Sequence, residues 1–174
     1  MEDSGNLKIT AVGDREIVIT RVFDAPRNLV FRAMTEPELV KRWLLGPPGW
    51  SMPICEIDFK IGGKFRYLWR ATDGMEMAMS GVYREIVLNE RVVNTERFEF
   101  GCDSQAEEQT ETAVLVEEHG RTTHTSTILY PTKEARDATI ASGMANGIEA
   151  NYSRLFELLP SMHAAVGNRS TQTA

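Results

Sequence analysis

Two hydrophobic periods alternate along the chain. From Arg15 to Phe23, Ile17, Ile19 and, with a small offset, Val22 and Phe23 are set among the polar Glu16, Thr20 and Arg21. Such alternation predicts a half-buried strand. Leu7 to Val12 predicts an earlier strand, turned at Gly13-Asp14. Pro26 stands where a helix begins, with Asp24 as its expected cap, and Leu29, Val30, Ala33 and Met34 then recur at helical spacing. A second short helix opens at Glu36-Pro37-Glu38, carries Leu39, Val40 and Trp43, and is broken by Gly46-Pro47-Pro48-Gly49.

The period of two returns after that break. Ile54 to Phe59 reads as a strand, Gly62-Gly63 as a hairpin turn, and Phe65, Tyr67 and Trp69 as one face of the next strand, opposite Arg66, Leu68 and Arg70. Asp73-Gly74 turns into Met75–Val87, and Leu88-Asn89-Glu90 turns into Arg91–Phe100. Residues 101–109 read as a polar loop. Thr110–Val116 and Thr122–Tyr130, joined at His119-Gly120, complete the sheet. The period then changes for good. Met144, Ile148, Tyr152, Leu155 and Leu159 form a helical stripe that Pro160 is expected to end, leaving a flexible tail over 161–174. The order predicts an α+β domain over 15–160, a curved antiparallel sheet wrapped around a terminal helix, with 1–14 as an extension that carries an extra strand.

Composition narrows the class. The chain has 174 residues, 42% hydrophobic and 25% charged, which suits a folded domain with a real core. No apolar run approaches the ~18 residues that span a bilayer. Met1–Asn6 lacks the basic start and apolar centre of a secretion signal, so a cytoplasmic setting is expected. Cys55 and Cys102 have no CxxC spacing, which fits a reduced environment and leaves one disulfide open. The net charge is −6 and no basic block exceeds Lys41-Arg42, which argues against a nucleic-acid partner.

Several short motifs occur in a fixed order: Arg21-Val22-Phe23-Asp24-Ala25-Pro26, Thr35-Glu36-Pro37-Glu38-Leu39, Trp43, Gly62-Gly63-Lys64-Phe65-Arg66, Gly81-Val82-Tyr83-Arg84-Glu85-Ile86 and Glu90-Arg91-Val92-Val93. Over about residues 15–159 the chain resembles the family of the activator of the 90-kilodalton heat-shock chaperone ATPase. That family lies within the START, polyketide-cyclase and birch-pollen-allergen superfamily. The resemblance implies the helix-grip fold, with a deep cavity between sheet and terminal helix. Related domains bind lipids, sterols, polyketides or other apolar molecules, and a few catalyse cyclisation or hydrolysis. Two departures stand out. The family commonly has two adjacent tryptophans where this chain has Trp43-Leu44, and often a Gly-Trp pair where it has Gly147-Ile148.

The expected ligand is therefore an apolar or amphipathic small molecule. Its candidate wall comprises Trp43, Phe65, Tyr67, Trp69, Met79 and Tyr83 from the first helices and the sheet, and Met144, Ile148, Asn151 and Leu155 from the terminal helix. Thr123, Thr125 and Thr127 share one strand face. Outward they are ordinary β-favouring surface residues; inward, Thr125 and Thr127 would make the wall polar. Gly143 and Gly147 are read as one flank of the terminal helix. Asp58, Glu76 and Glu85 read as surface carboxylates.

No cofactor, metal ligand set or catalytic constellation is expected: the histidines lack ligand spacing, and there is no GxSxG, P-loop or GxGxxG. Two other readings stay open. One is a cyclase-like or hydrolase-like enzyme in which Tyr67, Tyr83 or Arg70 positions an oxygenated substrate; it requires titratable groups inside the cavity. The other is a chaperone-interacting module, by family analogy. Trp50 is expected at the surface of the Gly-Pro loop, which leaves a homodimer open.

Overall fold

The computed structural model describes residues 7–100 and 107–169. Its elements run β1 (Lys8–Val12), β2 (Glu16–Phe23), α1 (Arg27–Thr35), α2 (Pro37–Trp43), β3 (Trp50–Ile57), β4 (Lys64–Ala71), β5 (Glu76–Val87), β6 (Arg91–Phe100), β7 (Gln109–Glu118), β8 (Arg121–Leu129), α3 (Lys133–Ala141) and α4 (Met144–Arg169). The strands form one antiparallel sheet in the order β1-β2-β8-β7-β6-β5-β4-β3. From β3 to β8 each strand pairs with its successor. The connection from β2 to β3 instead crosses the whole sheet through α1 and α2, which close one end. This is the helix-grip architecture.

β2 shows why the register is fixed. Its inward residues are Ile17, Ile19, Arg21 and Phe23, all buried. The expected offset is absent: Arg21 itself points inward at 2% exposure, its guanidinium over the rings of Phe23 and Phe156. One core cluster joins β2, β8 and α1 to Tyr152, Leu155, Leu158, Leu159 and Met162 of α4. A second gathers Phe65, Tyr67, Trp69, Met79 and Tyr83 of β4 and β5 around Val40 of α2. From Tyr152 to Met162, α4 is thus packed into the first cluster, and Met144 and Ile148 of its first turns lie against the same cluster.

Several expectations at element ends are corrected. Asp24 does not cap α1; Pro26 occupies that position, Asp24 pairs with Arg121 at 2.7 Å, and Glu117 accepts the Arg27 N–H at 2.9 Å. A carboxylate from another strand so meets the positive end of the helix. The Gly62-Gly63 turn belongs to a longer connection, residues 58–63, before Lys64 begins β4. α3 is an additional helix, capped by the Thr132 hydroxyl, which accepts from the Ala135 N–H at 3.1 Å. Gly143 is not within the long helix: at φ +79° it separates α3 from α4, a conformation glycine adopts without strain. Pro160 does not end α4, which runs on to Arg169. Met162 beyond it is buried in the core, and that packing offsets the hydrogen bond a proline cannot make. Cys55 is a free thiol; Cys102 and most of the expected polar loop lie outside the described residues.

Gly81 of β5 is demanded by close approach. A Cβ there would lie 1.8 Å from the Thr95 carbonyl oxygen and 2.6 Å from the Phe65 ring, since Phe65 is its register partner. Gly81→Ala is expected to destabilise the fold by about 3 kcal/mol or more, read by urea denaturation. An unchanged midpoint would show that the strands can part there freely.

Candidate functional site

Between the first turns of α4, the end of α2 and the concave face of the sheet lies a cavity of about 950 Å³. That is near the upper end of small-molecule sites. Its walls differ in kind. The aromatic wall follows from period two in β4, which turns Phe65, Tyr67 and Trp69 inward. Their rings interlock with Tyr83 and Phe59, at 5.1 Å for Phe65–Tyr67, 5.4 Å for Phe65–Tyr83 and 5.0 Å for Phe59–Tyr83. Two indoles are anchored by backbone: Trp43 donates to the Ala33 carbonyl at 2.8 Å and Trp69 to the Leu44 carbonyl at 2.7 Å. Met75 and Phe100 line the cavity while each is 58% exposed, and so mark its rim.

Opposite stands a polar wall built by register. Asn94 faces Glu111, and Glu96 faces Gln109, across the β6–β7 ladder. Gln109 donates to Glu96 Oε2 at 2.8 Å, and the Ser126 hydroxyl to Glu111 Oε1 at 2.5 Å. His124 Nδ1 lies 3.3 Å from the Tyr152 hydroxyl. All of these side chains line the cavity.

Burial sets their protonation. Glu96 is 6% exposed; desolvation first, then the neighbouring Glu111 charge and their mutual hydrogen bond, holds its carboxyl well above the ordinary range. His124 is pushed down to about 4 by burial, against the opposing pull of Glu111, and is a neutral imidazole. Burial raises the Tyr67, Tyr83 and Tyr152 phenols, which therefore stay protonated donors, and Tyr67 and Tyr83 hydrogen-bond each other.

The structure brings most of the expected wall together. Trp43, Phe65, Tyr67, Trp69, Met79 and Tyr83 line the cavity, as do Met144, Ile148 and Asn151. The Asn151 amide oxygen is engaged by protein, accepting the Gly46 N–H at 2.7 Å and Arg154 at 3.2 Å. Leu155 is fully buried in the core but off the cavity wall.

Thr125 and Thr127 are corrected: they lie on the outer face of β8, because His124, Ser126 and Ile128 take the inner one. Arg70 is likewise outside, paired with Glu76 at 2.7 Å. Trp50 is half-buried and lines the cavity rather than standing free at the surface.

Asn94, Glu96, Gln109, Glu111, His124 and Ser126 were not among the expected site residues. Their signal is parity: Glu96 shares its face with Phe98 and Phe100, and His124 shares its face with Ile128 and Tyr130. Among the described residues no group of three or more His, Cys, Asp or Glu side chains is placed to hold a metal ion.

Two pH effects of opposite sign follow. A histidine depressed from 6.5 to about 4 contributes stability present above its unfolded value and lost as pH falls through the folded one. Its imidazole resonances should stay constant down to about pH 5 and move only nearer 4; an inflection near 6.5 would place the ring in water. Glu96, raised above 4.5, contributes stability that is full below that value and lost as pH rises through the folded one. Glu96→Gln, permanently neutral, should therefore stabilise the protein more in alkaline than in acidic urea titrations. Equal effects at both ends would mean that Glu96 is ordinarily ionised in the fold.

Comparison with known proteins agrees with this architecture. A protein of Rhodobacter sphaeroides superposes with a TM-score of 0.82 at 28% identity, covering 90% of this chain and 99% of that one. A protein of Nitrosomonas europaea gives 0.76 at 25% identity, with 88% and 99% covered. An AHSA1 protein of Silicibacter pomeroyi shares the fold, at a TM-score of 0.68 and 16% identity over 85% of this chain and 99% of that one. No curated protein matches the sequence significantly. Folds of this superfamily are generally ligand-binding domains. The model of the family described as activator of Hsp90 ATPase homolog 1-like protein matches residues 24–160, and the chain belongs to that family.

Proposed function

We propose that the protein binds a small, mainly apolar molecule in the cavity, with the molecule's polar end on the Glu96–Glu111–Ser126 wall. The observation that carries this reading is a cavity of about 950 Å³ whose lining is largely aromatic and aliphatic, with convergent polar groups on one side. The rigid rings hold the space open, and the polar groups orient what enters it.

All three tryptophans line the cavity, so occupancy reports itself. Adding an apolar aromatic probe should change intrinsic fluorescence saturably, and native mass spectrometry of protein isolated from cells should show a bound species. Ile148→Trp, which puts an indole into the wall, should weaken uptake by about tenfold or more while the protein stays folded. Wild-type protein that takes up no probe, or a variant that binds as well as wild type, would count against the cavity as the binding site.

One observation favours a second reading. Two adjacent carboxyl groups, Glu96 and Glu111, of which burial favours the protonated form of Glu96, face the same space as a neutral imidazole, which is the equipment of general acid–base chemistry on an oxygenated substrate. In that reading Glu96 is the acid. Turnover of a lactone or activated-ester panel that disappears in Glu96→Gln would support it, and turnover unaffected by that change would remove it.

A further inference from the structure

We propose that the polar wall selects the ligand's head group: Glu111 holds a protonated amine on an apolar body, and carboxylate heads are rejected. This rests on the binding reading above and names the ligand class for it. The argument comes from the charges facing the cavity. Among the described lining residues, the ionisable acids and bases besides the tyrosines are Glu76, Arg91, Glu96, Glu107, Glu111 and His124. Glu76 is neutralised by Arg70 at 2.7 Å and Arg91 by Glu85 at 3.1 Å. Glu107 is exposed to solvent. His124 is buried against the Tyr152 hydroxyl, and Glu96 is buried against Gln109. Arg21, the inward cation of β2, is turned onto Phe23 and Phe156 and is not part of the lining.

What remains on the inner wall is the half-buried Glu111 carboxylate, with the Ser126 hydroxyl on Oε1 and no lysine among the lining residues to balance it. A ligand that covers this group removes its water. Hydrocarbon laid over a carboxylate returns no hydrogen bonds, and a second carboxylate adds repulsion as well. A hydroxyl returns one hydrogen bond and no opposite charge. An ammonium returns up to three donors and the opposite charge, so it replaces most fully what the water supplied. The aromatic rings across the cavity also suit a cation's neighbouring methylenes better than an anion, whose charge their faces repel.

The test uses three probes with one body and different heads, decylamine, decanol and decanoate, titrated into the full chain near neutral pH and followed by tryptophan fluorescence. The expected order is amine tightest and carboxylate weakest, with the amine favoured over the alcohol by roughly tenfold. Glu111→Gln should reduce that ratio to about twofold or less. Glu56→Gln, which removes an exposed carboxylate from β3, controls for net charge and should leave the ratio at its wild-type value. Decanoate binding as tightly as decylamine, or a ratio that survives Glu111→Gln, would overturn the head-group assignment and leave the binding reading standing. Saturable binding by none of the three would overturn both. The wild-type comparison decides the matter even if Glu111→Gln fails to fold.

Discussion

The structure depends on keeping a large space between a helix and a sheet that would otherwise close on each other. Protein interiors are packed at a density near ~0.74, and a sealed, dry void costs on the order of 24 cal/mol per Å³. At about 950 Å³ that would come to roughly 20 kcal/mol, more than the ~5–15 kcal/mol by which a domain is stable. The space is therefore compatible with folding as an opening shared with solvent or ligand, with Met75 and Phe100 at its rim, and its walls must be unable to relax inward. The anchoring pattern meets that condition. The middle of α4 is fixed in the core by Leu155, Leu159 and Met162. Near the start of α4 the Asn151 amide and the Arg154 guanidinium hold the Gly46 backbone, at 2.7 Å each, and so fix the gap between the helix and the end of α2. Indole hydrogen bonds to the Ala33 and Leu44 carbonyls stop Trp43 and Trp69 from swinging into the opening.

The polar wall is the second consequence of that constraint. In a collapsed core, Glu96 beside Glu111 would be a strongly unfavourable pair, and apolar replacements would serve stability better. Next to an open cavity the arrangement is tolerable. Burial favours the protonated form of Glu96, to which Gln109 donates, and Glu111 stands half-buried at the boundary where water or a ligand can reach it. The two carboxyl groups differ in how far each is removed from water. His124, neutral behind them, adds no charge, and Glu76 and Arg91, which also line the cavity, are each paired with an opposite charge.

The sheet and all its helices but α3 are legible in the sequence because their signals are local. Alternation through Phe65, Tyr67 and Trp69 and the stripe from Met144 to Leu159 identify buried faces directly; the three aromatic residues with Met144, Ile148 and Tyr152 line the cavity, while Leu155 and Leu159 pack in the core. What the periodicity alone hid was any polar residue occupying an inward position. Arg21 looked like a polar residue beside a register offset although the register is regular. The threonines of β8 drew attention by repetition, whereas the informative residues were the alternating His124 and Ser126, in phase with Ile128 and Tyr130. Pro160 looked like a stop because its effect on backbone is local, but the burial of Met162 beyond it is not. Inward polar groups are placed by the whole sheet's register and by the volume left unfilled, and neither is a property of a short segment.

The two departures from the family pattern fall on this geometry. Leu44 follows Trp43 at the end of α2 and lines the cavity; its carbonyl receives the Trp69 indole. Ile148 lies on α4, between Met144 and Tyr152, and lines it too. Where relatives commonly carry an indole, each position here carries a smaller aliphatic side chain, one on each of the two helices that cover the sheet. A branched aliphatic has no polar edge to orient and fills less of the gap. Both side chains belong to the apolar part of the lining, whereas the Glu96–Glu111 wall is set by the register of β6, β7 and β8. The apolar part of the space and its polar wall are thus set by separate elements of this chain, the helices on one side and the register of the sheet on the other, so a change on a helix can alter the one without moving the other.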